Sequence, residues 1–165
     1  MRISSEKGFS LAETMVAIGV LTTGVLGGAG VLVAGMKNLS SSPSDVIVAQ
    51  KAQEAVEAVF AARDSHKFTW AQINNVSNGG VFLNGPTSLT TPGNDGVVNT
   101  ADDGPIEQIV LPTQTLTLSA YTRQIQIQDV PNENGALRTI TVTITYQDGP
   151  NKRSYVLSTL ISSYS

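Results

Sequence analysis

Two places in this chain carry residues whose types and spacing could do chemistry. The first is Glu13, the one charge in residues 9–36, FSLAETMVAIGVLTTGVLGGAGVLVAGM. A carboxylate inside a membrane helix costs roughly 2.5–3.5 kcal/mol at the centre and less near an interface. Such a residue calls for a function and a partner. The second is TTPGNDGVVNTADDGP, where Asn94, Asp95, Asn99, Asp102 and Asp103 fall within ten residues and Gly93, Gly96 and Gly104 permit tight turns. Hard cations take several oxygens from such a loop, so Asp95, Asn99, Asp102 and Asp103 are the expected ligands for calcium. The spacing is not that of an EF-hand, and a solvated turn gives the same composition. His66 stands alone among Arg63, Asp64 and Lys67, which reads as a surface histidine. With one imidazole, no cysteine and no glycine-rich loop after a strand, the expectation is that the chain is not an enzyme.

Composition sets the frame for these residues. The 165 residues fit one domain plus whatever the apolar run adds. Net charge is −3 and charged residues are 14% of the chain. The acids and bases are scattered, so no nucleic-acid partner is expected. The absence of cysteine means that any passage into an oxidising compartment is made without disulfides. Thr, Ser, Asn, Gln and Gly are plentiful, as in an extracellular or periplasmic β-rich module.

The apolar run exceeds the ~20 residues that a spanning helix needs. Before it lies MRISSEKG, with Arg2, Lys7 and the amino terminus against Glu6. The positive-inside rule puts that end in the cytoplasm and the remainder across the membrane. A plain signal anchor fits this pattern. So does a secretory signal peptide, with Gly28-Ala29-Gly30 or Val33-Ala34-Gly35 supplying small residues for a cut. Neither explains Glu13.

Lys7-Gly8-Phe9-Ser10-Leu11-Ala12-Glu13 resembles the prepilin cleavage site of type IV pilins and type II secretion pseudopilins. The resemblance implies that residues 1–8 are a cytoplasmic leader, cut after Gly8 by a membrane prepilin peptidase that also N-methylates Phe9. It implies that Glu13 serves assembly by neutralising the Phe9 ammonium of a neighbouring subunit. In low dielectric that pairing is strong, and either charge alone is expensive. The implied partners are other pilin or pseudopilin subunits, the peptidase, an inner-membrane assembly platform and the bacterial inner membrane, with passage into a periplasmic or extracellular filament. The opening is similar to minor PilV-like subunits and to minor pseudopilins. The rival from another class is a single-pass anchored binding domain that does not polymerise.

The resemblance covers about the first forty residues. Within them, Gly24-x-x-x-Gly28 fits close helix packing in a membrane. The family also implies loss of helicity in assembled subunits over residues 22–31, which hold four glycines.

Residues 37–165 are expected to form the globular part. Pro43 should bend or break the helix, with Ser44 or Asp45 capping the next stretch. A helix over about 44–62 should then bury Val46, Ala49, Ala52, Val56, Val59 and Phe60, with Lys51, Gln53, Glu54 and Glu57 on the far side. Residues 63–105 read as an irregular loop in which Phe68, Trp70 and Ile73 cover the core. From 106 to 165 the period becomes two. Strands are expected in IEQIVL, YTRQIQIQDV, LRTITVTITYQ and RSYVLSTLIS, with a turn at Asp148–Asn151. The expected fold is α+β: a long N-terminal helix, membrane-spanning then amphipathic, packed on an antiparallel meander. This is also the layout the pilin resemblance implies. Leu111-Pro112-Thr113-Gln114-Thr115 lacks the tail of a sortase signal, and the sequons at Asn38 and Asn75 are of a kind common by chance.

Overall fold

The computed structural model describes residues 10–110, 112 and 114–164, with residues 33–43 described by their backbone alone. The fold is α+β. The chain divides into two compact units, Met1–Pro43 and Ser44–Ser165, and one helix, α1 (Leu11–Asp64), contributes to both. The helix carries through Pro43 rather than restarting with a cap at Ser44 or Asp45. Proline removes its own N–H and one helical bond, and here that loss does not end the helix. Ser44 and Asp45 serve the tyrosines of the sheet instead. The Tyr121 hydroxyl donates to Ser44 Oγ at 3.2 Å, and the Tyr146 hydroxyl donates to Asp45 Oδ1. The two rings stack with centroids 5.9 Å apart.

In the first unit, Leu11–Leu32 is long and apolar enough to cross a membrane, with mean hydropathy 1.9 and none of it buried within the chain. The Thr22 and Thr23 hydroxyls donate back to the Ile18 and Gly19 carbonyls at 2.6 and 3.1 Å. The helix thus satisfies its own polar side chains, as a lipid-exposed segment must. A Cβ built on Gly19, Gly24, Gly27, Gly28 or Gly30 would meet nothing. Packing within this chain therefore does not require these glycines.

In the second unit, the buried stripe of α1 is Val48, Ala52, Ala55, Val59 and Ala62. Of the expected face, Ala52 and Val59 are in this stripe, whereas Val46 is 54% exposed and Ala49, Val56 and Phe60 are half-buried. This stripe shares one core with Ile125, Ile127, Ile140, Val142 and Ile144 of the sheet.

That sheet has four strands in the order β1-β4-β5-β6: β1 (Thr87–Ser88), β4 (Thr122–Asp129), β5 (Leu137–Asp148) and β6 (Asn151–Ser162). Strict alternation buries every second residue of β5 from Arg138 to Tyr146. Asp148 pairs with Asn151 across a two-residue turn in which Gly149 takes φ 58°, a value suited to glycine. IEQIVL does not join this sheet. Its β2 (Gln108–Val110) pairs with β3 (Thr115–Thr117), a strand the alternation did not announce, as a separate two-stranded ribbon. Phe68, Trp70 and Ile73 do cover the core. The stretch at 97–100 is not a solvated turn either, because Val97, Val98, Asn99 and Thr100 are all buried.

Candidate functional site

At the start of α1, Ser10 and Glu13 bond reciprocally. The Ser10 backbone N–H donates to Glu13 Oε2 at 3.1 Å, and the Glu13 N–H donates to Ser10 Oγ at 3.2 Å. This is a capping box, which satisfies two of the N–H groups left open at a helix start. The positive end of the helix dipole adds to the support for the carboxylate. Glu13 therefore has a partner inside its own chain. The spacing S-x-x-E carried that signal, and treating Glu13 as an isolated membrane acid passed over it. Gly8 and Phe9, the expected cleavage and methylation positions, lie outside the described residues.

The acidic loop is held by its own acceptors. Asp103 Oδ2 accepts from the Thr90 hydroxyl at 2.6 Å and the Asn99 N–H at 2.9 Å. Its Oδ1 accepts from the Thr100 N–H and the Thr100 hydroxyl, both at 3.2 Å. Asn99 takes φ 68° and is fully buried. Its Oδ1 accepts from the Thr87 hydroxyl at 2.7 Å, and its amide donates to the Leu83 carbonyl at 3.2 Å. Asp102 accepts from the Thr100 hydroxyl at 2.8 Å and the Asp95 N–H at 3.2 Å. The Thr100 hydrogen bond, with those from Asp95, holds the Asp102 carboxyl below its usual range. Asp95 itself closes a turn onto the Val97 N–H at 2.8 Å. Among the described residues, no three acidic or imidazole side chains gather as cation ligands. Each oxygen of Asp103 accepts two protein donors and Asn99 is buried, whereas the Asp102 oxygens accept one donor each, so Asp102 and Asp95 keep the most free acceptor capacity among these four residues.

A buried charge cluster joins this loop to the helix and the sheet. Lys51, expected on the solvent side, is mostly covered and binds both Glu54, at 2.7 Å, and Glu107. Burial opposes its charge, but Glu107 and Glu54 outweigh that and hold the ammonium above its ordinary value. Arg123 sits on the inner face of β4 with none of its side chain exposed, and its guanidinium lies 3.8 Å from Asp103. Burial pushes its pKa down, against support from Asp103, Glu54 and Glu107. Alternation placed Arg123 among Tyr121, Ile125 and Ile127, but nothing local showed its counter-charges, which come from the loop, α1 and the segment entering β2. At the opposite end of the sheet, Arg138 stacks on Trp70 at 4.4 Å and donates to Asp129 and the Ile73 carbonyl, both at 2.7 Å.

No family model, curated protein or solved structure matches the chain. Of the candidate positions, Glu13 lies in the first unit while Asp95, Asn99, Asp102 and Asp103 lie in the second. The sequon at Asn75 is closed to modification. Its amide is buried and bridges the β4 edge, donating to the Ile125 carbonyl and accepting from the Ile127 N–H, both at 2.8 Å.

Proposed function

We propose that this chain is a structural subunit of a type IV pilus or a type II secretion pseudopilus, with a pilin-like fold and a minor, PilV-like role. The observation that carries the reading is the sequence Lys7-Gly8-Phe9-Ser10-Leu11-Ala12-Glu13, whose last three residues open a helix of membrane length. Prepilin peptidase cuts after Gly8 and methylates Phe9, and the helix then packs among those of neighbouring subunits. Two further features support it. Gly19, Gly24, Gly27, Gly28 and Gly30 have no packing role within their own chain, as suits a helix whose close neighbours are other subunits. The capping box holds the Glu13 carboxylate at the first turn of the helix, four residues after the proposed new terminus at Phe9.

The capping box also favours a second reading, because a glutamate with a partner in its own chain does not need a neighbour. Under it the chain is an anchored binding domain that never polymerises. Two variants separate the readings. Gly8→Trp should leave an uncut precursor in the membrane. Glu13→Ala should insert and fold yet enter filaments poorly. Normal processing of the first variant, or normal incorporation of the second, contradicts the assembly reading.

A further inference from the structure

The segment from Asn75 to Gly85 and the outer side of β4 enclose a groove of about 400 Å³. A volume of that order accommodates a small organic ligand. Its walls present Ser77, Asn78 and Asn84 on one side and Gln124, Gln126 and Gln128 on the other, with no ionisable or aromatic residue. Ile125 and Ile127 also border it, but both side chains are buried in the core, so they offer the groove only main chain.

The strand period explains the array. Arg123, Ile125 and Ile127 point inward, so the glutamines between them project together, about 6.8 Å apart at two residues of strand rise. Gln126 and Gln128 are exposed and Gln124 is half-exposed. Registered beside them on β5 are Thr143, Thr141 and Thr139. Beside those on β6 are Val156, Ser158 and Leu160. The whole patch is without charge.

This chemistry narrows the ligand. A phosphate, a carboxylate or a nucleic acid meets no counter-charge here. An apolar molecule or a peptide anchored by apolar side chains meets no apolar recess. A side-chain amide offers a donor and an acceptor side by side, and adjacent sugar hydroxyls, each both donor and acceptor, match that pair. We propose that the groove along Gln124, Gln126 and Gln128 binds a neutral oligosaccharide. The proposal does not depend on filament assembly.

The test is nuclear magnetic resonance on the isotope-labelled full chain in zwitterionic micelles, since maltoside detergents would compete. Maltohexaose, cellohexaose and chitohexaose are titrated separately into the millimolar range. At least one should move the side-chain amide signals of Gln124, Gln126, Gln128 and Asn84 saturably. Gln126→Ala should weaken that binding about fivefold, as loss of one hydrogen-bonding group does. The triple alanine variant at the three exposed glutamines should abolish it with the remaining spectrum unchanged. Three outcomes overturn the proposal: no saturable shift with any of the sugars, binding that survives in the triple variant, or the same signals moving for a neutral Gly-Ser hexapeptide alone.

Discussion

At the residue scale, the side chains that matter most act through partners far away in the chain. Glu107 is the clearest case: Lys51 lies 56 residues before it and is held by it, and the Arg123 guanidinium draws on it too. Glu107→Leu leaves both cations poorly matched, so unfolding in denaturant should show a loss of about 2–3 kcal/mol, below the range for a fully buried pair because the site is partly wet. Lys51→Met combined with Glu107→Leu should recover part of that loss. Asp102 gives a pH signature. Its folded pKa is depressed, so its contribution is fully present above the ordinary carboxylate pKa and is lost as pH falls through the lowered value. Thermal unfolding of the wild type and Asp102→Asn should therefore differ near neutrality and converge in acid. Calorimetry of the same pair with calcium gives the cation test: Asp95 and Asp102 keep the most free acceptor capacity of the four loop residues, and the expected heat is small and absent from Asp102→Asn. The pairing of Lys51 with Glu107 and that of Arg123 with its acids are not written in local spacing. The Ser10–Glu13 box is, because both its residues lie within one helical turn.

At the element scale, period was the reliable signal and phase was not. Alternation identified β4 and β5 almost to the residue, because each has one face in the core and β5 continues this from Leu137 to Tyr146, whereas β6 was legible from its own pattern although it buries only Ile161. In α1 the expected face holds at Ala52 and Val59, but the fully buried line also runs through Val48, Ala55 and Ala62, and Val56 and Phe60 pack at its edge. β2 and β3 are three residues each, too short for alternation to assign their partner. The acidic loop looked solvated by composition, yet its backbone is packed on itself. Gly93 shows how tightly: a Cβ there would stand 2.2 Å from the Asp102 carbonyl oxygen and 2.5 Å from its carboxyl group. Gly93→Ala should therefore cost about 1–3 kcal/mol, as overpacking does, and should raise hydrogen exchange at Asn99 and Thr100 more than in β5. Unchanged exchange at those amides would mean that the loop has slack which its contacts do not show.

At the scale of the whole molecule, the two units have different needs. The second has its own helix stripe, sheet and buried ion cluster. A truncated chain beginning at Lys37 should accordingly be soluble and unfold in one cooperative thermal transition. Aggregation, or melting without a transition, would show that the membrane half is needed to hold α1 in place. In the first unit, Leu11–Leu32 buries none of its surface within the chain, which under the proposed reading leaves lipid and neighbouring helices to cover it. That division is what an assembling, membrane-drawn subunit requires, and the reading turns on whether the chain is cut before Phe9. Mass spectrometry of the amino terminus of the protein recovered from its native membrane decides it. The account predicts a terminal peptide that begins at Phe9 and is heavier by one methyl group. A terminus at Met1, or a cut within residues 28–35, contradicts it.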